Sequence, residues 1–271
     1  MGRRVEGKVA VVTGGGSGMG RTGALLLAQE GAQVVVADIN EENGSKVSES
    51  IRQAGLEAIF APVDVRDAGS VQDLVAKAVA RYGRIDVLYH NAVDARFVNQ
   101  QDRRLTELPE ETWHRMIELV LTGTFLCCKY VGRQMLTQHA GSIILSASVD
   151  ALIGCAGLDS YTAAKGGVIA MTRSFAAGMA KDGVRVNAIC PGTVSTESQM
   201  EWLGSPKARA LMQALHLLPI ATPDQIAPFV LYLASDESAV VTGGIFTIDA
   251  GYMAFKADVD VMAATRGEFE V

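Results

Sequence analysis

The chain has 271 residues, 49% of them hydrophobic, and its 24 Lys and Arg against 30 Asp and Glu leave a formal charge of −6. That balance argues against a general nucleic-acid binder, which carries a basic stripe, and no apolar run reaches the ~18–20 residues of a membrane span. The length suits one large α/β domain or two small ones. In chain order, Met1 to Lys8 has no signal-peptide core, and Glu6 stands where a myristoylation signal wants Ser or Thr, so the expected compartment is the cytoplasm. Lys8 to Thr13 is a short apolar run of buried-strand type, followed by glycines and a helical stretch ending near Glu30. Gln33 to Ala37 is a second such run, and Pro62-Val63-Asp64 closes a third. Ala68 to Tyr82 has a helical pattern, Arg84 to Tyr89 reads as a strand, and Glu110 to Gln138 is again helical. Ser142 to Leu145, Val184 to Ile189 and Gly244 to Ile248 supply further strands, with a helix of about Thr162 to Ala180 between the first two.

Strands that are apolar along their whole length are buried on both faces, the habit of parallel sheets flanked by helices. Alternation with helices therefore predicts an α/β fold, a doubly wound parallel sheet with right-handed crossovers. No repeat, low-complexity block or linker interrupts it, so 1–271 reads as a single domain. Two excursions depart from the rhythm: a polar loop over Asp94 to Leu108, and a long segment over Thr196 to Pro219. Both leave carboxyl ends of strands, where α/β proteins keep substrate contacts; surface decoration is the other reading. Cys127, Cys128, Cys155 and Cys190 lack C-x-x-C spacing and sit among apolar residues, which predicts buried free thiols. His90, His114, His139 and His216 are scattered, so no metal site is expected.

The first chemical signal lies at the strand–helix junction Thr13-Gly14-Gly15-Gly16-Ser17-Gly18-Met19-Gly20. Glycines there let a pyrophosphate approach the backbone, and the helix N-terminus offers free N–H groups. Asp38 ends the second strand, where a carboxylate accepts both ribose hydroxyls of NAD and repels the 2′-phosphate of NADP. Asp64, beside Val65, is either an acceptor for the adenine amino group or a helix cap. The second signal is Tyr161-Thr162-Ala163-Ala164-Lys165, whose spacing puts phenol and ammonium on one helix face. A nearby cation lowers a tyrosine pKa from ~10 and makes the phenol a usable base for an alcohol proton. Ser148, after the fifth strand, is placed to hydrogen-bond a carbonyl or alkoxide oxygen.

From about Lys8 to Tyr252 the chain resembles the NAD(P)-dependent short-chain dehydrogenases/reductases. The resemblance rests on Thr13, Gly14, Gly18 and Gly20, on Ser148 with Tyr161-x-x-x-Lys165, on Asn187 to Gly192, and on Thr242-Gly243-Gly244 with Asp249-Ala250-Gly251. It implies a seven-stranded Rossmann-type sheet, hydride exchange at nicotinamide C4, and a homotetramer or homodimer. It implies Tyr161 as acid/base, Ser148 as its oxyanion-side partner, and Lys165 binding the nicotinamide ribose while lowering the Tyr161 pKa. Ser17 and Met19 belong to the implied glycine loop, Asp64 and Val65 to the adenine side, and Asn91 and Ala92 to the adenosine ribose side. Pro191, Gly192 and Val194 would hold the carboxamide, with Thr196 near it or the phosphates.

Several positions depart from the family pattern. His90 replaces the first Asn of Asn-Asn-Ala-Gly, and Val93 its Gly. Val120 stands where a fourth catalytic residue, an Asn, is usual. A backbone carbonyl survives that change, so Val120 is expected to keep a water-holding role if the helix loosens near Thr122, Gly123 and Thr124. His216 and Pro219 replace a common Pro and Arg, and 254–271 forms an extension of unplaced role. The reading is an NAD-dependent oxidoreductase of a secondary alcohol or ketone. A rather apolar small-molecule substrate would lie between Leu152, Ile153, Leu158, Met200, Trp202 and Leu203, with no nucleic-acid or membrane partner. A catalytically weak NAD-binding scaffold and a 3-oxoacyl reductase are the alternatives. Helices apolar nearly all round, Val120 to Met135 and Thr162 to Ala180, must bury a second face, most naturally in a symmetric subunit interface.

Overall fold

The computed structural model describes residues 3–254. Seven strands form one parallel sheet: β1 (Val9–Thr13), β2 (Gln33–Asp38), β3 (Ala58–Pro62), β4 (Val87–His90), β5 (Gly141–Ser146), β6 (Val184–Pro191) and β7 (Ile245–Ile248). Their order is β3-β2-β1-β4-β5-β6-β7. The order in which strands are added therefore reverses at β1, which pairs in parallel with β2 on one side (Val11 with Val35) and β4 on the other (Val11 with Leu88). A crevice opens at that switch point, beyond the carboxyl ends of the two strands.

Side chains alternate along each strand, so consecutive valines serve different cores. Val11, Val35, Leu88 and Ile143 pack with Leu74, Val131 and Val168 on one face. Those partners come from the helices α3 (Ala68–Tyr82), α6 (Gly123–Gln138) and α7 (Asp159–Met179). Val12, Val34 and Val36 pack with Leu27, Val47 and Val230 on the other, from α1 (Gly18–Gln29), α2 (Glu41–Gln53) and α10 (Pro223–Ala234). Local signals bound α3: the Asp67 carboxylate accepts the Gly69 and Ser70 N–H groups at 3.0 and 3.3 Å, and Gly83 ends the helix at φ +79°.

Three expectations are corrected. The polar loop over Asp94 to Leu108 contains α4 (Ala95–Gln101), capped by Asp94 through the Phe97 N–H at 2.9 Å. The segment after β6 folds into α8 (Glu197–Trp202) and α9 (Pro206–Ala214), capped by Thr196 and Ser205. The long helix over Glu110 to Gln138 is α5 (Glu110–Met116) and α6 joined by a π-helical turn over Ile117–Thr122. All four cysteines are free; Cys127, Cys128 and Cys190 are buried and Cys155 is half-buried. Residues 255–271, nearly all of the C-terminal extension, lie outside the described residues. Among those described, no helix is long and apolar enough to cross a membrane.

Candidate active site

The glycine loop is closed by backbone crowding. A Cβ on Gly20 would stand 2.0 Å from the Gly14 carbonyl oxygen, and one on Gly14, which has φ +65°, would meet the Ala92 Cα at 2.9 Å. Substitution at either position would open the cradle that α1 points into. Ser17 precedes that helix in extended conformation, and its hydroxyl caps no N–H of α1. Gly18 and Met19 begin the helix, and the Thr196 methyl packs against Gly18. Asp38 ends β2 beside the loop, its Oδ2 accepting the Gly16 N–H and its Oδ1 the Asn40 N–H, both at 2.8 Å. Cradle, helix terminus and carboxylate together fit a dinucleotide.

On the adenine side β3 ends at Pro62, so Asp64 lies two residues beyond it. Both its carboxylate oxygens are gripped by Arg66, the shortest contact being 2.6 Å, and this fork holds the Asp64 pKa below its usual value. Arg66 is a partner that the sequence reading did not find. Val65 is buried in the core. Asn91 is buried behind the loop, its Oδ1 accepting from Tyr89 and Ser146 hydroxyls at 3.2 and 3.1 Å. The Thr13 hydroxyl accepts the Asn91 N–H and sits 2.8 Å from His90 Nδ1. Burial and the nearby Lys165 cation push His90 down to about 3, so its ring is neutral and shares a hydrogen bond with the Thr13 hydroxyl through Nδ1. His90 thereby ties the carboxyl end of β4 to that of β1, as a hydrogen-bonding amide would.

Ser148, Tyr161 and Lys165 converge at the carboxyl ends of β5 and β6. Lys165 is buried; its Nζ donates to the Ser146 carbonyl at 2.5 Å and lies 5.6 Å from the Tyr161 ring centroid. Burial lowers its pKa to about 8. The expected lowering of the Tyr161 pKa is corrected. Burial pushes the phenol up, the Asp150 carboxylate pushes it further, and only the Ser148 hydrogen bond works the other way. The ammonium is turned to a backbone carbonyl, so it offsets neither effect. Pro191 ends β6, and Gly192 is fixed by its N–H to the Ile248 carbonyl at 3.2 Å. Val194 bridges to Ala221, and Thr196 caps α8 through the Gln199 N–H at 3.3 Å.

The roles of two acids, Asp102 and Asp150, and of His216 escaped the sequence reading. Asp102, 4% exposed, reaches from the end of α4 to the start of α7, accepting from Ser160 N (3.2 Å), Ser160 Oγ (2.9 Å) and Tyr161 N (2.9 Å). It thus caps the helix that carries the Tyr/Lys pair, from 59 residues upstream of Tyr161; no local pattern announces such a cap. Asp150, in the short turn after Ser148, exchanges hydrogen bonds with the Ser148 hydroxyl. His216 is buried; its Nδ1–H donates to the Met212 carbonyl at 2.8 Å and its Nε2 accepts the Thr193 N–H at 3.3 Å. That ring ties the end of α9 to the turn after Gly192.

The expected apolar wall is mixed. Leu203 is core, Leu158 and Met200 are half-buried, and Leu152, Ile153 and Trp202 are exposed. The segment with α8 is strapped to its surroundings by Arg21–Glu197 at 2.5 Å and Arg96–Glu201 at 2.9 Å.

The π-helical turn loosens the backbone where Val120 was expected to keep its carbonyl available. That carbonyl nevertheless accepts the Thr124 hydroxyl at 2.6 Å, and the Gly123 N–H is shared between it and the Glu118 carbonyl. The Thr124 hydroxyl thus occupies one of the two acceptor positions that the expected water-holding role would draw on. The Val120 side chain is 1% exposed among apolar neighbours. Val120→Asn is therefore expected to cost about 1–3 kcal/mol by burying an unpaired amide, read as a lowered Tm, with kcat not raised. A rise in kcat of about a hundredfold would instead mean that the amide completes a proton path.

A crevice at the switch point of a parallel sheet, closed by glycines and facing a helix N-terminus, defines a dinucleotide-binding α/β protein. A family model described as enoyl-(acyl carrier protein) reductase matches residues 14–253. A cis-4-hydroxycyclohexanecarboxylate dehydrogenase of Sinomonas cyclohexanicum is 40% identical over 94% of this chain and 100% of its own. A 3-oxoacyl-[acyl-carrier-protein] reductase of Thermotoga maritima is 38% identical over 92% of this chain and 98% of its own. The crystal structure of gox2181 superposes with a TM-score of 0.87 at 30% identity, over 93% of this chain and 98% of that one. The chain belongs to the short-chain dehydrogenase/reductase family, and is an oxidoreductase that works with a nicotinamide cofactor.

Proposed function

We propose that the protein is an NAD-dependent dehydrogenase/reductase of secondary alcohols and ketones. When bound, the nicotinamide takes up or gives back the hydride of the reacting carbon. Tyr161 moves the hydroxyl proton, Ser148 holds the reacting oxygen, and Lys165 binds the nicotinamide ribose. Asp38 accepts the adenosine ribose hydroxyls, and the loop of Gly14, Ser17, Gly18, Met19 and Gly20 receives the pyrophosphate. Asp64, Val65, Asn91 and Ala92 form the adenosine side, and Pro191, Gly192, Val194 and Thr196 the carboxamide side. The observation that carries this reading is the meeting of Tyr161, Lys165 and Ser148 beyond the carboxyl ends of β5 and β6, next to the glycine cradle.

The relative from Sinomonas, named for a hydroxycyclohexane substrate, favours a carbocyclic alcohol. Leu152, Ile153 and Trp202 offer the exposed apolar surface such a ring would cover. The same reading places the protein in the cytoplasm, with neither nucleic acid nor membrane as partner. It also takes the outer faces of α6 and α7, where Phe125 is exposed, as the surface of a homodimer or homotetramer. A screen of secondary alcohols with NAD, read as NADH absorbance, is expected to give turnover on cycloalkanols. Turnover confined to acyl-carrier thioesters with NADPH would favour 3-oxoacyl reduction instead, and NAD binding without turnover a scaffold.

A further inference from the structure

Asp150 has no structural task that explains its position. It sits in the single turn over Val149–Ala151 directly after Ser148, and its backbone N–H is already capped by the Ser148 hydroxyl at 3.1 Å. Its Oδ2 accepts from that same hydroxyl, also at 3.1 Å, and among the described residues no Lys, Arg or His lies within ion-pair distance of it. A carboxylate has room for about four hydrogen bonds, and this one has a single side-chain donor. Its contact with Ser148 sets it at the reacting end of the site, and its charge raises the pKa of Tyr161, Cys155 and Tyr252 beyond the effect of burial.

Among the described residues, its only side-chain donor is also the hydroxyl that the proposed reaction needs. When Ser148 turns to the reacting oxygen, the half-buried Asp150 loses that donor and is free to accept another. The substrate can supply the replacement. Hydroxyl contacts run at ~2.7–2.8 Å, and Ser148 Oγ is 3.1 Å from Asp150 Oδ2. An oxygen held by Ser148 and a donor held by Asp150 can therefore sit on adjacent carbons of one molecule.

We propose that Asp150 is the specificity-determining acceptor of the site, binding a hydroxyl on the carbon next to the reacting one. The substrate is then a vicinal diol in oxidation and an α-hydroxy ketone in reduction. The inference rests on the oxidoreductase reading above. In that reaction one carbinol carbon loses hydride to NAD and its hydroxyl proton to Tyr161. The products are hydroxy ketone, NADH and a proton, and the second hydroxyl stays intact on Asp150. With the exposed Leu152 and Ile153 following it in the chain, the fitting molecule is an apolar ring with adjacent hydroxyls.

The test compares cyclohexanol with cis- and trans-cyclohexane-1,2-diol, in wild type, Asp150→Asn and Asp150→Ala. Two readouts are used: kcat/KM with NAD, and calorimetric Kd for the same alcohols on the NADH-loaded protein. Wild type is expected to favour one diol over cyclohexanol by about tenfold or more, the scale of a hydrogen bond to a charged group. In Asp150→Ala that ratio should fall at least about tenfold, with Asp150→Asn, which keeps an acceptor oxygen, in between. A wild type that favours cyclohexanol, or a ratio unmoved in Asp150→Ala, overturns the assignment. So does a preference for 2-aminocyclohexanol, which would make the donor an ammonium. If no alcohol is oxidised with NAD or NADP, the oxidoreductase reading fails, while the Kd ratio still decides the role of Asp150.

Discussion

Tyr161→Phe is expected to remove turnover while leaving NADH affinity close to that of the wild type. The phenol oxygen is the only part of the side chain lost, and it is used in proton transfer, a step worth ~10²–10⁴ in rate. The ring, its place above Lys165 and the Asp102 cap on the helix all survive. A Phe variant that keeps about a tenth of wild-type activity would assign the proton to another group. Lys165→Ala should lower turnover and weaken cofactor binding as well, because the same ammonium serves the ribose. The pH behaviour follows from the upward push on the phenol. Alcohol oxidation consumes phenolate, so its kcat/KM should climb through the alkaline range. Ketone reduction consumes neutral phenol and should stay flat until that range is reached. Steady-state profiles in both directions check the pair, and a flat oxidative profile would contradict the role of Tyr161.

The second large effect is on cofactor choice. NAD is expected to exceed NADP in kcat/KM by at least about a hundredfold. A 2′-phosphate would face Asp38 at about 4 Å, where two like charges repel by ~4 kcal/mol at an effective dielectric of 20. The carboxylate has no room to swing aside, since the Gly16 and Asn40 N–H groups hold both of its oxygens. Asp38→Ala removes the repulsion and the ribose acceptor together, so the preference should shrink from both ends. Similar values for the two cofactors in the wild type would remove Asp38 from this role.

What could be read from the sequence was whatever is written locally. Strands buried on both faces appear as unbroken runs such as Val9 to Thr13, and α3 is framed by Asp67 and Gly83 within one stretch of chain. The glycine loop and the Tyr161/Lys165 pair are likewise short-range patterns. Contacts that join distant segments left no such trace. The Asp102 cap on α7 and the His216 bridge from Met212 to Thr193 depend on how loops are laid across the sheet. The direction of the Tyr161 shift failed for the same reason: spacing shows a cation one turn away, but burial and Asp150 belong to tertiary structure. The π-helical turn at Val120 was partly foreseen from Gly123 and its threonines, yet the hydroxyl that occupies the carbonyl was not.

The place of β1 at the centre of the sheet also sets a schedule for a chain leaving the ribosome. Its first neighbour, β2, follows within a few dozen residues, but Ala10 meets its other partner, Val87, only after the whole of α2, β3 and α3 has been made. At ~5–20 residues per second, that is a wait of roughly 4–15 s. During it, β1 presents an apolar strand edge with unpaired N–H and C=O groups, the kind of surface on which nascent chains pair with one another. Slower initiation, lower temperature or a chaperone that covers this edge should therefore raise the yield of folded protein, and nascent fragments that stop short of β4 should be the ones that aggregate.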